Sequence, residues 1–221
     1  MSSTETPNAQ TLKEYIGKNA LGLGIFAAIT VGLIAMTYLG TGERIAANQA
    51  QAQAQALYQL APETSYHIQL EARLALIPAA LQGVILENPW FARARDKQHQ
   101  DLLLLPMISK EGYSGDIRLL MAVDRQGVIQ GVRVLGHKET PGLGDKIELK
   151  KSSWLLDFVG RSLLATPIWA VRKDGGEFDQ FTGATITPRA VVKALYQSLD
   201  YLQKHPQIWP PINAIPEEAN Q

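Results

Sequence analysis

At 221 residues the chain has room for one domain of ~150 residues plus an appendage, and its 21 Lys and Arg balance its 21 Asp and Glu. Without a net charge or a basic stripe, nucleic acid is excluded as a partner. The absence of cysteine excludes disulfides and any cysteine-ligated iron–sulfur or zinc centre within the chain, so a redox centre here has to be a borrowed organic cofactor.

Residues 1–19 form a polar N-terminus, and the run 20–39, from Ala20 to Leu39, carries no charge. As a helix it has the ~20 residues needed to cross a bilayer. Small residues at Thr41-Gly42 and Ala46-Ala47 leave a cleaved signal peptide as the competing reading. The apolar run, however, exceeds the ~7–15 residues of a signal core and no small-x-small site closes it, so the expectation is a retained single-pass anchor. Lys13 and Lys18 precede the span and Arg44 follows it. The positive-inside bias then puts residues 1–19 in the cytoplasm and the rest in the periplasm of a bacterial inner membrane. One apolar span without an ionisable residue offers no ion path of its own. Residues 43–61, rich in Ala and Gln and stopped at Ala61-Pro62, read either as a stalk helix or as a low-complexity linker.

A globular domain is expected over 63–205, with a tail at 206–221. Its first part, 63–100, is the least informative. A strand is expected at 81–87 and another at 101–108, although the leucine run of the latter also suits a buried helix and Pro106 confines it to a sheet edge. Turn residues at 111–115 lead into strands 116–123 and 128–135, joined by the hairpin Asp124-Arg125-Gln126-Gly127. Beyond them lies Gly136-His137-Lys138-Glu139-Thr140-Pro141-Gly142-Leu143-Gly144-Asp145-Lys146. Gly142 and Gly144 make room there for a flat ring near the backbone, Leu143 is placed to press on a ring face, and the alternative is an ordinary long turn. The loop is not a P-loop, because the Gly-Lys-Ser/Thr ending is missing. Ser152 or Ser153 caps a short helix over 154–158 ended by Gly160, and 168–171 reads as a short strand entering a turn at 172–176. Trp154 and Trp169 are expected in the core. The four histidines are scattered without metal-ligand spacing, and no Gly-x-Ser-x-Gly elbow is present. No catalytic residue and no metal site are assigned.

The string Asp179-Gln180-Phe181-Thr182-Gly183-Ala184-Thr185-Ile186-Thr187-Pro188 is a loop that becomes a helix. Thr187 is the expected N-cap with Pro188 at the first helical position, and Val191, Val192, Leu195, Leu199 and Leu202 follow at helical spacing. Gly183 and Ala184 keep the loop narrow, while Thr182, Thr185 and Thr187 offer hydroxyls beside a helix start that attracts anions. A phosphate is favoured there. Arg172, Lys173, Arg189 and Lys193 are nearby cations, each readable equally as a solvated surface charge.

Asp, two residues, Thr-Gly-Ala-Thr, one residue, Thr resembles the motif at which FMN is esterified through its phosphate to threonine. It occurs in the peripheral flavoprotein, RnfG, of Rnf electron-transport complexes and in its counterpart, NqrC, of the sodium-pumping NADH:quinone reductase. Glu139-Thr140-Pro141-Gly142-Leu143-Gly144 resembles the flavin-side loop of the same families. The strings at 112–120, 137–148 and 178–188 are closer to the RnfG family. That resemblance implies an α+β fold: one N-terminal transmembrane helix, then an FMN-binding domain with an antiparallel sheet and packed helices. It also implies one covalent FMN on Thr185, with Asp179 as the acidic motif residue. The implied function is electron relay among the other membrane subunits of an Rnf-type complex, after maturation by a flavin transferase. Two other readings stay open, a free-standing periplasmic flavin reductase using His137 or Glu139 and a non-redox anchor.

The orientation is tested by adding protease to intact spheroplasts. The domain beyond residue 63 should be trimmed while the extreme N-terminus is spared; protection of the domain until lysis would reverse the orientation.

Overall fold

The computed structural model describes residues 9–71, 91–96 and 101–209; the strand expected at 81–87 and the tail from 210 on lie outside them. The chain divides into two compact units, one ending at Ala50 and the other beginning at Gln51. A single helix, α1 (Ala9–Leu60), has no break at Gly40 or Gly42. In the first unit its Leu21, Phe26, Ile29, Leu33 and Ile34 are all exposed, and the helix is long and apolar enough to cross a membrane. The hydroxyls of Thr30, Thr37 and Thr41 donate to the carbonyls of Phe26, Leu33 and Thr37, each at 2.8 Å. Such polar groups are satisfied inside the helix itself, as a hydrocarbon environment requires.

In the second unit five antiparallel strands follow one another across the sheet in chain order: β1 (Tyr66–Glu71), β2 (Phe91–Asp96), β3 (Asp101–Gly112), β4 (Gly115–Asp124) and β5 (Ile129–Gly136). Side chains alternate between the two faces of a strand, and here both faces are covered. Leu103, Leu105 and Met107 of β3 and Ile117, Leu119, Met121 and Val123 of β4 face a core shared with α2 (Ile186–Lys204). Leu102, Leu104, Leu120 and Ala122 face the other way, against Ala56 and Leu57 in the last turns of α1 and against Ala61. Strands buried on both sides read as continuous apolar runs. The leucine run is therefore a strand and not a helix.

The structure corrects the edge placement of that strand, since β3 lies between β2 and β4. Among the described residues the pairing with β2 runs to Leu104, and Pro106 pairs with Leu120 of β4. The β4–β5 hairpin forms at the expected residues. Asp124 Oδ1 accepts the amides of Gln126 at 3.0 Å and Val128 at 2.8 Å, and Gly127 supplies the positive φ of 77°. At the end of α1, Gly131 of β5 leaves room for Leu60, whose Cδ2 would lie 2.4 Å from a Cβ built there.

Between β5 and α2 the chain runs through short 3-10 turns at Gly144–Ile147, Trp154–Phe158 and Arg172–Asp174. Ser153 is the N-cap of the second but makes no side-chain capping bond, while Oγ of Ser152 before it accepts the Trp154 amide at 3.2 Å and donates to the Lys146 carbonyl at 2.7 Å. The strand expected at 168–171 reduces to a single bridge, Val171 to Phe178. Trp169 and Val171 turn toward the core while Ile168 is exposed, the alternation of a strand, but among the described residues only Val171 finds a bridging partner. Trp154, Phe158, Phe178 and Phe181 pack edge-on or stacked, with centroids 4.6 to 5.1 Å apart. Trp169 leans on Phe178 at 5.1 Å. Both tryptophans thus belong to the core.

Leu195 is fully buried under the sheet while its neighbour Tyr196 is 43 % exposed. Leu195→Ala should lower unfolding free energy by about 2–5 kcal/mol, measured by denaturant titration of the detergent-solubilised chain. Tyr196→Ala should stay within about 0.5 kcal/mol of the parent.

Candidate functional site

α2 begins two residues earlier than the capping pattern implies. Ile186 is its first residue, and Thr185 occupies the N-cap position with helical angles, φ −78° and ψ −28°, and no side-chain capping bond. Thr187 is therefore not the cap. Its hydroxyl donates to Oε2 of Glu139, 48 residues earlier. Pro188 stands third in the helix, still within the first turn, where an amide hydrogen has no carbonyl to meet.

Glu139 is 4 % exposed, and both of its oxygens accept. Oε1 takes the amide of Ser114 at 2.9 Å, at the tip of the β3–β4 hairpin, and Oε2 takes the Thr187 hydroxyl. The Glu139 amide in turn donates to Nδ1 of His137 at 3.0 Å, and Nε2 of that ring lies 2.9 Å from Oε1 of Glu148. With Nδ1 accepting, a neutral ring carries its proton on Nε2 and donates it to Glu148. The surroundings of Glu139 have to be thin. A Cβ on Gly144 would fall 2.8 Å from Glu139 Oε2 and 2.9 Å from Thr187 Oγ1, and one on Gly112 would fall 2.9 Å from Glu139 Oε1. Gly144 is thus small for an internal contact, whereas Gly142, at φ 78° with open space around it, is small for its backbone angle.

These contacts bring the two motif loops together around a cleft of about 340 Å³, within the usual range of small-molecule sites of about 300–1,000 Å³. Glu139, Thr140, Leu143 and Gly144 line one side; Gly183, Ala184, Thr185, Ile186 and Thr187 line the other. Gly183, at φ 81°, keeps its backbone low enough for Leu143 to approach, with Cδ2 3.6 Å from where a Cβ would stand. Three candidate residues do not line the cleft. Gly142 sits in the loop beside it, Thr182 is exposed in the turn before Gly183, and Asp179 is paired with Arg172 at 3.0 Å. Two lining residues escaped the sequence reading, Tyr113 and Ile186. Both are large and more than 40 % exposed, as is Leu143, so the rim carries apolar surface facing water. An aromatic at a hairpin tip, where turn residues are normally small and polar, is the signal that would have marked Tyr113.

The Thr185 hydroxyl has no hydrogen-bond partner among the described residues, and it is half-buried in the cleft wall. Beside it the amides of Ile186 and Thr187 lie in the free first turn of a 19-residue helix, where the macrodipole favours negative charge. Among the described residues no cation lines the cleft. Three of the cations named from the sequence are spent elsewhere: Arg172 on Asp179, Arg189, bidentate on Asp174 at 2.6 and 2.8 Å, and Lys193 on Glu111. The Arg189 hydrogen bond holds the Asp174 carboxyl below its ordinary value and the same bond pushes the guanidinium up. An FMN fits these residues. The helix start offers amides to its phosphate, Thr185 offers a free hydroxyl, and Tyr113, Leu143 and Ile186 offer apolar contact to its ring.

Residues 112–200 match the FMN-binding domain family, and residues 11–60 match the family described as the RnfG N-terminal region. The chain is 46 % identical over 187 residues to the G subunit of the ion-translocating oxidoreductase complex of Pseudomonas aeruginosa, covering 83 % of this chain and 87 % of that one. It is 41 % identical over 194 residues to the protein of the same name in Vibrio cholerae, covering 87 % and 92 %. With that of Pseudoalteromonas atlantica it shares 42 % over 194 residues, covering 87 % and 90 %.

Glu139→Ala removes the acceptor of two donors and should cost about 1–3 kcal/mol for each one left unpaired. Glu139→Gln should cost less, because an amide can accept from one of the two and its NH2 can donate to the Thr187 hydroxyl. Gly144→Ala should destabilise by about 1–3 kcal/mol through overpacking, and Gly142→Ala by about 1–2 kcal/mol through its left-handed angle alone. Denaturant unfolding of the four variants separates these causes.

Proposed function

Since the chain belongs to the RnfG family of ion-translocating oxidoreductase complexes, whose soluble part here is an FMN-binding domain, we propose that it relays electrons in such a complex through one FMN held as a phosphoester on Thr185. In this reading residues 20–39 anchor the chain in the bacterial inner membrane and 43–61 form a stalk. The domain over 63–205 faces the periplasm, and a flavin transferase attaches the cofactor. FMN supplies chemistry that no side chain of this cysteine-free chain has, the exchange of one or two electrons.

The observation that carries the reading is the difference between two threonines two residues apart. Thr187 has given its hydroxyl to Glu139, whereas the Thr185 hydroxyl is unclaimed among the described residues, lines the cleft and stands at the start of α2. A phosphate esterified at Thr185 Oγ1 meets the amides of Ile186 and Thr187, which compensate its charge without a lysine or arginine. Tyr113, Leu143 and Ile186 bring apolar surface to the ring without enclosing it, and an exposed ring edge is what transfer to a neighbouring subunit needs. A free-standing flavin reductase would need an acid or base free to serve a substrate. His137 and Glu139, the residues available for it, are both engaged with protein partners.

Expressed with a flavin transferase, the chain should gain the mass of one FMN less one water, and its band should fluoresce after denaturing electrophoresis. Thr185→Val should lose both signals and still fold, while Thr185→Ser should retain at least part of them. Thr187→Val keeps the acceptor but releases Glu139, so it should lower stability by about 1–3 kcal/mol and reduce loading only in part. Covalent flavin on Thr185→Val would overturn the assignment.

A further inference from the structure

The cleft at Thr185 is smaller than a second groove among the described residues. That groove has a volume of about 520 Å³ and lies between residues of the last turns of α1 and the end of β5 with the loop beyond it, all within the second unit. Gln55 and Gln59 line one wall; Arg133, His137, Glu148 and Lys150 line the other.

Arg133 is the unusual group. Its Nε donates to Gln59 Oε1 at 2.9 Å and its Nη1 to the Val132 carbonyl at 2.9 Å, both neutral acceptors. Arg125 and Arg161, half-buried like it, each meet a carboxylate, at Asp101 (2.8 Å) and Glu177 (2.9 Å). Partial burial without an anion pulls the Arg133 guanidinium below its ordinary value, the direction expected of an uncompensated charge. Glu148 lies in the same groove but is bonded to His137. Lys150 is exposed and forms no ion pair among the described residues. The groove therefore holds two cations and one carboxylate that already has a partner.

We propose that this groove is a docking surface for an acidic polypeptide segment of another subunit of the complex, whose carboxylate completes Arg133. A guanidinium with Nε and one Nη1 hydrogen engaged still presents its Nη2 hydrogens and the second Nη1 hydrogen, a fork that a carboxylate fills with two parallel bonds. The amides argue for a polypeptide over a phosphate group. Gln55 offers both a donor and an acceptor, and Gln59 keeps its NH2 free among the described residues, so they match peptide N–H and C=O groups; a phosphate only accepts. The pairing is expected to be strong because the charge it neutralises is already partly desolvated. The inference rests on the reading of the chain as a complex subunit, and it assigns the groove a role separate from the flavin cleft.

The test uses the full-length chain, affinity-tagged and expressed with the rest of its complex and the flavin transferase. Arg133→Glu and Lys150→Glu should each lower the amount of co-purified subunits at least tenfold while covalent flavin on the tagged chain is unchanged. Arg133→Lys, which keeps the charge but not the fork, should fall between. Because the chain has no cysteine, Gln55→Cys places a single thiol in the groove. A thiol–amine cross-linker should join it to another subunit, at a lysine flanking an acidic stretch. Recovery equal to the parent in both glutamate variants overturns the docking surface, as does a cross-link only to a second copy of this chain or to lipid. If Arg133→Glu loses its flavin through misfolding, the exposed Lys150→Glu and the cross-link decide. Failure of the unmodified chain to recover any other subunit would instead sink the complex-subunit reading itself.

Discussion

Glu139 is the contact on which the site depends. A buried carboxylate is costly unless its oxygens find donors, and here the donors come from two distant places, an amide 25 residues before it and a hydroxyl 48 residues after it. Satisfying one side chain therefore fixes the hairpin tip, the glycine loop and the start of α2 relative to one another. Gly112 and Gly144 are part of the same constraint, because any side chain on either would occupy the space of the carboxylate oxygens. His137 extends it by receiving the Glu139 amide and donating its own proton to Glu148.

That constraint also sorts the threonines. A run of hydroxyls at a helix start would ordinarily compete for capping, and the best-placed one would be consumed by the backbone. With Thr187 drawn to Glu139, the helix begins at Ile186 without a side-chain cap, and the amides of its first turn stay free. The helix gives up the ~1 kcal/mol that a cap contributes and leaves its first-turn amides without a side-chain acceptor. Arg189 and Lys193 are held in surface pairs, so an anion at this helix start would be met by backbone dipoles, which do not titrate.

The sheet beneath explains why the site can be held at all. Both of its faces are covered, one by α2 and the aromatic cluster around Phe158, the other by the last turns of α1. β3 and β4, from which the hairpin tip projects, are consequently deeply buried along most of their length, and the tip carrying Ser114 is firmly based even though Tyr113 beside it is exposed. The same covering brings Arg133 of β5 against Gln59 of α1 and leaves it half-buried with neutral acceptors.

What the sequence determined by itself was whatever is local or periodic. The charge-free run of α1, the Asp124 to Gly127 hairpin, the helical spacing of Val191 to Leu202 and the two motif strings are all legible because neighbours along the chain suffice to define them. Tertiary structure decided the rest. Pro106 marked an edge in sequence, but the structure places its strand between β2 and β4. Thr187 had every local mark of a cap, but the helix starts before it and its hydroxyl donates to a carboxylate that no window around it contains. The segment 168–171 had strand composition and turns Trp169 and Val171 inward, but forms only the Val171–Phe178 bridge. Tyr113 and Ile186 entered the cleft only because Glu139 drew their loops together. Each of these outcomes turns on a contact between residues far apart in the chain, whose energy exists only once the sheet has formed and brought them within reach.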